Sequence, residues 1–322
     1  MNLPILPIPY HPSMEILDST KIKTYQQCPR LFFYEYALGW RASRPSNHLV
    51  FGKAVHKAME HIYLHGYRVE AVMEALEIFN SCYRATFPEE TDVLFEPKTP
   101  LRFFDMLLEY IKKYPSDPDR FTVYKTEIGG TVDLSPLPHH RIAWKMDTVL
   151  WDREIERYCS HEHKTKGGNY LSDSYTYEHF LGIQCGTYTH VLNCLFPPDQ
   201  VSGITINCLC FKKTKKPEFI LERFPILYSN AQMYNWLELT KLWMDRIHED
   251  FLLLSTHSDK NDLMRCFPTN SNACTNWGRV CQYMDFCTTW NNPIQHQHSL
   301  PVDMHIEFWN PLEEELNERL VL

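Results

Sequence analysis

A charged pair near the middle of the chain is the first candidate for chemistry. Glu162 and Lys164 lie two residues apart within 160–167, after a strand-like run, and on a strand both side chains face the same side. A carboxylate can hold a divalent cation, and a neighbouring ammonium can steady an attacking hydroxide or a phosphate. The pair suits metal-assisted hydrolysis, although exposed strands often alternate such charges for structural reasons alone.

A second carboxylate supports this hypothesis. Asp147 lies fifteen residues before Glu162, inside an apolar run that we predict to be the preceding strand. In a hairpin the two carboxylates can converge at one end of a sheet, and a carboxylate within an apolar strand is costly unless it is paired or metal-bound. Mg²⁺ and Mn²⁺ prefer oxygen ligands, so we expect one of these ions at Asp147 and Glu162.

The helical stretch 49–67 offers a nitrogen ligand. Gly52, His56 and Glu60 recur at intervals of four residues and so line one face of this helix. His56 is a candidate metal ligand that suits Mn²⁺ somewhat better than Mg²⁺, and the alternative is a core histidine without a chemical role. A glycine inside a helix costs about 1 kcal/mol relative to alanine, so we expect another element to pack closely against Gly52.

Helix and strand patterns alternate along the chain and would position these residues. A first helix is predicted after Asp18, bent or split at Pro29. Further helices are predicted at 69–86, 100–114, 173–195 and 229–252. Strands are predicted at 122–134 with a break at Gly129-Gly130, and at 142–150, 154–164, 202–211 and 218–224. The first three strands predict an antiparallel meander, and the fold class is α/β, with a mixed central sheet flanked by helices and a helical N-terminal region.

Composition bounds the class of protein. The chain has 322 residues, of which 44% are hydrophobic and 14% aromatic, which indicates a folded protein with a sizeable core. No apolar run reaches 18 residues and no basic leader precedes the prolines of the N-terminus, so we expect a soluble, intracellular, cytoplasmic protein without a membrane partner. The net charge of −8 argues against a protein that coats nucleic acid, but not against a nuclease whose metals restore positive charge locally.

The cysteines give an independent signal. Eleven is an odd number, which argues against a disulfide framework, and most of them lie in apolar runs as small buried hydrophobes. Three differ, because Cys274, Cys281 and Cys287 fall in a segment predicted to be irregular, with Gly278 and Arg279. Such a segment is typical of a zinc or iron–sulfur site. Cys28 can complete a set of four, with Cys266 in reserve.

Taken in order, these motifs resemble the RecB-type nucleases of the PD-(D/E)xK superfamily over about residues 18–288. The resemblance lies in the joint order and spacing of weak motifs on helix, strand, strand and helix. Those motifs are Gly52-x-x-x-His56-x-x-x-Glu60, Asp147, Glu162-x-Lys164 and Gln184-x-x-x-Tyr188. The family has a glycine shortly before its aspartate, whereas Trp144-Lys145-Met146 precedes Asp147. Asp133, after Gly130-Thr131-Val132, is therefore an alternative match.

The resemblance implies a role for each matching residue. His56, Asp147, Glu162 and the backbone carbonyl of His163 would be metal ligands. Lys164 would orient the nucleophilic water and stabilise developing charge. Gln184 and Tyr188 would position DNA or the lysine. His161 and His163 alternate to the face opposite Glu162, so neither ring is expected to bind the metal.

The four cysteines resemble those of the iron–sulfur subgroup, which includes the CRISPR adaptation nuclease and the AddB subunit. There one cysteine precedes the nuclease core in a Cys-Pro-Arg context and three follow it, and the cluster staples the two chain ends. The resemblance implies a 4Fe–4S cluster on Cys28, Cys274, Cys281 and Cys287, with Zn²⁺ in the same thiolates as the alternative. The C-x2-C pair of some members is absent.

We therefore expect a metal-dependent DNA nuclease, an exonuclease on single-stranded or frayed ends in recombination, repair or replication. Residues 18–288 would form one nuclease domain closed by the cysteine cluster, between an extended arm, 1–17, and a tail, 289–322. The alternatives are a structure-specific or flap endonuclease and a zinc-stabilised module that binds DNA, or another partner, without cutting. No Gly-x-x-x-x-Gly-Lys-Ser/Thr loop occurs, so a helicase or recombination protein would be a separate chain, as in a phage or mobile-element system.

Overall fold

The structure is a computed structural model, and it describes residues 8, 11–257, 260–275, 280–313 and 319–322. Gly278, Arg279 and most of the predicted arm lie outside these ranges. The helices are α1 Ser19–Gln27, α2 Pro29–Phe32, α3 Asn47–His65, α4 Val69–Arg84, α5 Asp92–Phe95, α6 Pro100–Lys113, α7 Asp117–Arg120, α8 Asp173–Leu181, α9 Ile183–Leu195, α10 Asn230–Ser255 and α11 Met284–Thr289. The strands are β1 Leu17–Asp18, β2 Trp40–Ala42, β3 Phe121–Asp133, β4 Arg141–Asp152, β5 Arg157–Gly167, β6 Val201–Phe211, β7 Phe219–Ile226, β8 Met304–Ile306 and β9 Arg319–Val321.

The central sheet has the order β7-β6-β5-β4-β3-β9, and β1 pairs with β4. Strands β3, β4 and β5 form the predicted antiparallel meander. The connection from β5 to β6 passes through α8 and α9, and these two strands are parallel, whereas β6 and β7 are antiparallel. The predicted mixed α/β sheet is confirmed.

The sheet opens into a fork between β4 and β5. Their pairing runs from Asp152–Arg157 to Thr148–His161 and stops there. Beyond that point β4 stays paired with β3, and β5 stays paired with β6 as far as Gly167–Phe211. Asp147 and Glu162 are the first residues of each strand past the last pair, so both candidate carboxylates lie at the base of the fork.

Helices cover both faces of the sheet. One apolar core lies between the sheet and α1, α9 and α10, and it also contains the segment after α10. The second core joins α3, α4 and α6 to β6 and β7. Helices α3 and α9 therefore approach the sheet from opposite sides.

The N-terminal helix is split at Pro29, as predicted. Asp18 caps α1 by accepting a hydrogen bond from the backbone N–H of Lys21 at 2.8 Å. Cys28 then adopts an extended conformation, with φ −163°, and α2 begins at Pro29, where the missing N–H of proline is tolerated. A short π-helix, Phe33–Ala37, continues the turn.

The predicted interruption at Gly129-Gly130 is wrong, because β3 runs through both glycines. The lack of a side chain serves a close approach instead. A Cβ atom on Gly130 would lie 2.0 Å from the carbonyl oxygen of Leu320 in β9, so only glycine lets the C-terminal strand pair there. In the part of the chain that is described, no helix has the length and apolarity needed to cross a bilayer.

Candidate active site

The base of the fork gathers three potential metal ligands from three elements. His56 extends from α3, and its Nδ1 lies 3.1 Å from Oδ1 of Asp147 on β4. Glu127 reaches the same place from β3. One ligand atom from each of these residues lies within 4.8 Å of those of the others, a spacing that a single cation can bridge.

Glu127 is the ligand candidate that the sequence analysis missed. The β3–β4 register places it opposite Asp147, since Thr126 pairs with Thr148 and Ile128 pairs with Met146. Its φ of 49° lies in the left-handed region, which is uncommon for a residue with a Cβ and is found mainly where surrounding structure holds a functional group in place. The sequence signal that could have indicated Glu127 is a carboxylate in β3, the strand that pairs with the strand of Asp147.

Neighbouring side chains already compensate part of the negative charge at this point. Burial raises the pKa of Glu127, and the ammonium of Lys145, 2.7 Å away, opposes that rise. Burial alone would raise the pKa of Asp147, but pairing with His56 brings this pKa below its usual value. A divalent ion would stabilise all the nearby carboxylates in their ionised form.

Glu162 is fully buried beside Asp147, at the end of the β4–β5 pairing. Its Oε1 accepts hydrogen bonds from the hydroxyl of Ser160 at 2.9 Å and from the backbone N–H of Asp147 at 3.2 Å. Burial, followed by the charge of Asp147, raises the pKa of Glu162 well above its usual range, while Lys164 opposes the rise. The two carboxylates and Lys164 are therefore electrostatic neighbours, although Glu162 does not share the 4.8 Å group of His56, Glu127 and Asp147.

His163 turns its ring away from Glu162. The ring lies against Tyr63, with centroids 5.2 Å apart, and its Nδ1 accepts a hydrogen bond from Nδ2 of the fully buried Asn207 at 2.9 Å. Its backbone N–H donates to Oδ2 of Asp147 at 2.8 Å. The main chain of His163 is therefore beside the site, and burial lowers the pKa of its ring to about 3, so the ring is neutral.

His161 lies on the same side as His163 and is also buried. Its Nδ1 is hydrogen-bonded to the hydroxyl of Tyr63 at 3.0 Å. Burial lowers the pKa of His161 well below its usual value. This histidine belongs to the packing beneath α3, and nothing in its contacts links it to the carboxylates.

Gln184 and Tyr188 approach from α9, on the other face. The side-chain amide of Gln184 donates to the hydroxyl of Tyr188 at 2.9 Å, and that hydroxyl donates to the backbone carbonyl of Lys145. Tyr188 is buried, so it contacts β4 rather than solvent or a ligand. The pair fastens α9 to the strand that carries Asp147.

Two other motif residues take structural positions. Glu60 accepts a hydrogen bond from the hydroxyl of Thr126 at 2.8 Å, which joins α3 to β3 next to Glu127. A Cβ atom on Gly52 would lie 3.7 Å from Oγ1 of Thr165, an ordinary van der Waals distance, so the expected close packing at Gly52 is not present. Asp133, the alternative aspartate, is exposed and pairs with Arg141 at 2.6 Å, far along β3 from the fork.

Cys28 and the three late cysteines are electrostatic neighbours, although Cys28 lies 246 positions before Cys274 in the chain. Burial raises the pKa of Cys281, and the neighbouring thiols of Cys274 and Cys28 add to that rise. Burial likewise raises the pKa of Cys287. The charge of Arg30 opposes this rise, and the thiol of Cys28 adds to it. Among the described residues, their sulfurs do not form a group within 4.8 Å, unlike the histidine–carboxylate ligands. Cys266 is fully buried beside Asp250.

The surface around the fork is basic on the side of β5. Lys53 is exposed on α3, and the ammonium of Lys166 lies 4.4 Å from the ring centroid of Tyr175. Tyr170 is exposed and free to stack on a base. Arg30 does not belong to this surface, since it is buried and its Nε donates to the carbonyl of Phe267 at 2.9 Å.

Comparison with known proteins identifies the family of the chain. The family description that matches residues 19–288 is the PD-(D/E)XK nuclease superfamily. No curated protein matches the chain at a significant level. Among solved structures, a crystal structure of a candidate exonuclease from Eubacterium rectale is similar at 14% sequence identity, over 76% of this chain and 82% of that one, with a TM-score of 0.42. A similarity of this degree carries no argument about function.

Proposed function

Because this chain belongs to the PD-(D/E)XK nuclease superfamily, we propose that it is a divalent-metal-dependent deoxyribonuclease that degrades single-stranded or frayed DNA from its ends. One observation carries the proposal. His56, Glu127 and Asp147 converge at the base of the fork, next to the buried Glu162 and to Lys164. Two carboxylates and one imidazole at this spacing form a ligand set that suits Mn²⁺ or Mg²⁺.

His56, Asp147 and Glu127 would hold the ion, with Glu162 and the backbone carbonyl of His163 as further ligands. When bound, the ion supplies positive charge that favours ionisation of a water molecule and offsets charge on the scissile phosphate. Lys164 follows Glu162 on the same face of β5 and is placed to orient that water and to stabilise charge that develops on the phosphate. Gln184 donates a hydrogen bond to Tyr188, and Tyr188 donates one to the backbone carbonyl of Lys145. These two hydrogen bonds would hold β4 in position.

DNA would reach the fork along its basic side. Lys53, Lys166 and the turn 212–216 would contact phosphates, and Tyr170 could stack on an unpaired base. With a net charge of −8, the chain as a whole favours a limited contact over broad coating of DNA. Unwinding of duplex ends would come from a separate helicase or recombination protein.

We propose a 4Fe–4S cluster on Cys28, Cys274, Cys281 and Cys287. Four thiolates around one Zn²⁺ at about 2.3 Å would have sulfurs about 3.8 Å apart. A 4Fe–4S cluster is a larger group and accepts four thiolates that lie further apart than those around zinc. Such a cluster would close residues 18–288 into one domain between the arm and the tail. Visible absorbance after anaerobic purification, with iron and sulfide in equal amounts, would support it, whereas a colourless protein with one zinc would overturn it.

The test of nuclease activity uses Mn²⁺ with end-labelled single-stranded, duplex and circular DNA. We expect Glu162→Ala and Lys164→Ala to abolish degradation of linear single strands. His161→Ala is the matched control, since His161 is adjacent and equally buried but faces away from the carboxylates, and we expect it to keep most of the activity of the wild type.

The outcomes separate the alternatives. Equal cutting of circular and linear DNA would remove the exonuclease assignment and favour an endonuclease. Preferential cutting at a flap junction would indicate a structure-specific enzyme. If the wild type binds DNA but does not cut it with any metal, the chain is a DNA-binding module and the catalytic proposal is wrong.

A further inference from the structure

A second cluster of potential metal ligands lies away from the fork, where the turn between β3 and β4 meets α10. His139 and His140 belong to a short 3-10 turn, Pro138–His140, at the end of this connection. Each presents its Nε2 at 2.8 Å from the same atom, Oδ1 of Asp245 on α10. The ligand atoms of the three residues lie within 4.8 Å of one another.

We propose that His139, His140 and Asp245 bind a zinc ion that fastens the β3–β4 turn to helix α10. The inference is independent of the proposed nuclease activity. Two imidazole nitrogens and one carboxylate oxygen form a donor set that Zn²⁺ accepts in tetrahedral geometry, whereas Mg²⁺ and Ca²⁺ prefer oxygen ligands alone. Solvent can supply the fourth position, because the side chain of Asp245 is 42% exposed.

The surroundings of His140 are those of a metal-bound histidine. Its side chain is 5% exposed, and its Nδ1 lies 2.6 Å from the hydroxyl oxygen of Ser135. With the ring proton on Nδ1, His140 donates to Ser135 and leaves the lone pair of Nε2 for the ion. Metal-binding histidines commonly donate their second nitrogen in this way, which fixes both the tautomer and the ring plane.

His139 is held by stacking. The ring of His248, one turn along α10 from Asp245, lies parallel to it, with centroids 4.2 Å apart and an angle of 2° between the planes. The ring of His140 contacts His139 from the side, with centroids 4.5 Å apart. Both Nε2 atoms are therefore already aimed at Asp245, so binding of an ion requires a change of tautomer and little movement.

Such a clamp would act on the strands that carry the candidate active site. The connection that holds His139 and His140 begins after Asp133 and ends at Arg141, and Glu127 and Asp147 lie six residues further along β3 and β4. Six residues of strand span about 20 Å, so zinc would not take part in chemistry at the fork. It would cross-link the far end of the hairpin to the helix that packs on α9.

The experiment counts bound zinc by mass spectrometry in the full chain after dialysis, and follows Co²⁺ binding by absorbance. Cobalt on the cysteines gives a strong thiolate charge-transfer band, whereas cobalt on histidine and carboxylate gives d–d bands alone. We expect wild type and Asp147→Asn to bind one equivalent without thiolate character, and Asp245→Asn and His139→Gln to lose it. Saturating zinc should raise the thermal midpoint of the wild type by about 5 °C, and that of Asp245→Asn by none.

His248→Phe is the matched control, since it keeps the stacked ring on His139 but removes the nitrogens, and it should retain zinc. The proposal is wrong if Asp245→Asn binds the same equivalent with the same rise in midpoint, or if the wild type shows thiolate-type cobalt binding alone. Loss of zinc in His248→Phe as complete as in Asp245→Asn would overturn the assignment of the three ligands.

Discussion

Helix α9 packs against α10 through a glycine, and an added methyl group there should be costly. A Cβ atom on Gly186 would lie 2.1 Å from Cδ1 and 2.4 Å from Nε1 of Trp236. The indole has no room to withdraw, because Trp236 is buried and its Nε1 donates to the carbonyl of Ile183 at 3.1 Å. Gly186→Ala therefore has to separate two helices or displace a tryptophan.

The magnitude follows from opposing contributions. Overpacking of a core costs about 1–3 kcal/mol, and loss of the Trp236 hydrogen bond adds about 1 kcal/mol. Replacing a glycine inside a helix by alanine returns about 1 kcal/mol through backbone propensity. We expect Gly186→Ala to lower the free energy of unfolding by about 1–3 kcal/mol.

Gly52→Ala is the control, because Gly52 is also inside a helix but its added Cβ would lie 3.7 Å from Thr165. This variant should be as stable as the wild type or more stable, by up to about 1 kcal/mol. Urea unfolding followed by circular dichroism gives both values. Trp236→Leu in the Gly186→Ala background should recover part of the loss, and a double-mutant cycle measures that coupling. A Gly186→Ala protein as stable as Gly52→Ala would refute the packing between α9 and α10.

Two further predictions concern buried polar groups. Burial lowers the pKa of Lys98 from 10.5 to about 8, so charging it in the folded state costs about 3 kcal/mol. Because Lys98 also donates hydrogen bonds to Thr165, Lys98→Met should gain about 1–2 kcal/mol in urea unfolding below pH 8, and this gain should become a loss of about 1–2 kcal/mol as the pH rises to 10.5. A difference that does not change with pH, or the same change in the surface variant Lys112→Met, would contradict it. Asn207→Leu removes the hydrogen bonds to Tyr110 and His163, so it should cost about 2 kcal/mol of stability and raise the Mn²⁺ concentration needed for cutting. Asn292→Leu is the control, because Asn292 is equally buried but lies outside the sheet, and this variant should lower stability alone. An unchanged Mn²⁺ requirement in Asn207→Leu would show that the ring of His163 does not position the site.

The meander is predicted correctly, because three consecutive strand patterns are joined by short connections, and both features are visible in the local sequence. The split at Pro29 is equally accessible from the sequence, since proline restricts its own backbone and that of the residue before it. The order of the motifs then indicates His56, Asp147, Glu162 and Lys164. All of these signals are local, or depend on spacing along the chain.

Glu127 is not accessible in the same way. Its strand register depends on pairing with β4, and a bulge between Val123 and Lys125 shifts that register by one residue. Its alternation with Lys125 and Thr126 is typical of an ordinary solvated strand. The polar contacts around His163 are hidden for a related reason, since Asn207 lies in an apolar strand, and only the parallel β5–β6 register brings it opposite His163. Long-range pairing decides both cases, and no periodicity in the sequence reports it.

The carboxylates at the fork also accept hydrogen bonds from the backbone, so their removal affects the backbone as well as the candidate metal site. Where β4 and β5 separate, the N–H of Asp147 donates to the side chain of Glu162, and the N–H of His163 donates to the side chain of Asp147. Glu162→Ala therefore leaves a buried amide without its acceptor, at a cost of about 1–3 kcal/mol, besides removing a candidate ligand. Glu162→Gln keeps an oxygen for that amide but loses the negative charge. If Glu162 acts through its charge, Glu162→Gln should unfold near the wild-type urea concentration and still fail to cut DNA; if it acts through the backbone alone, Glu162→Gln should cut and Glu162→Ala should not.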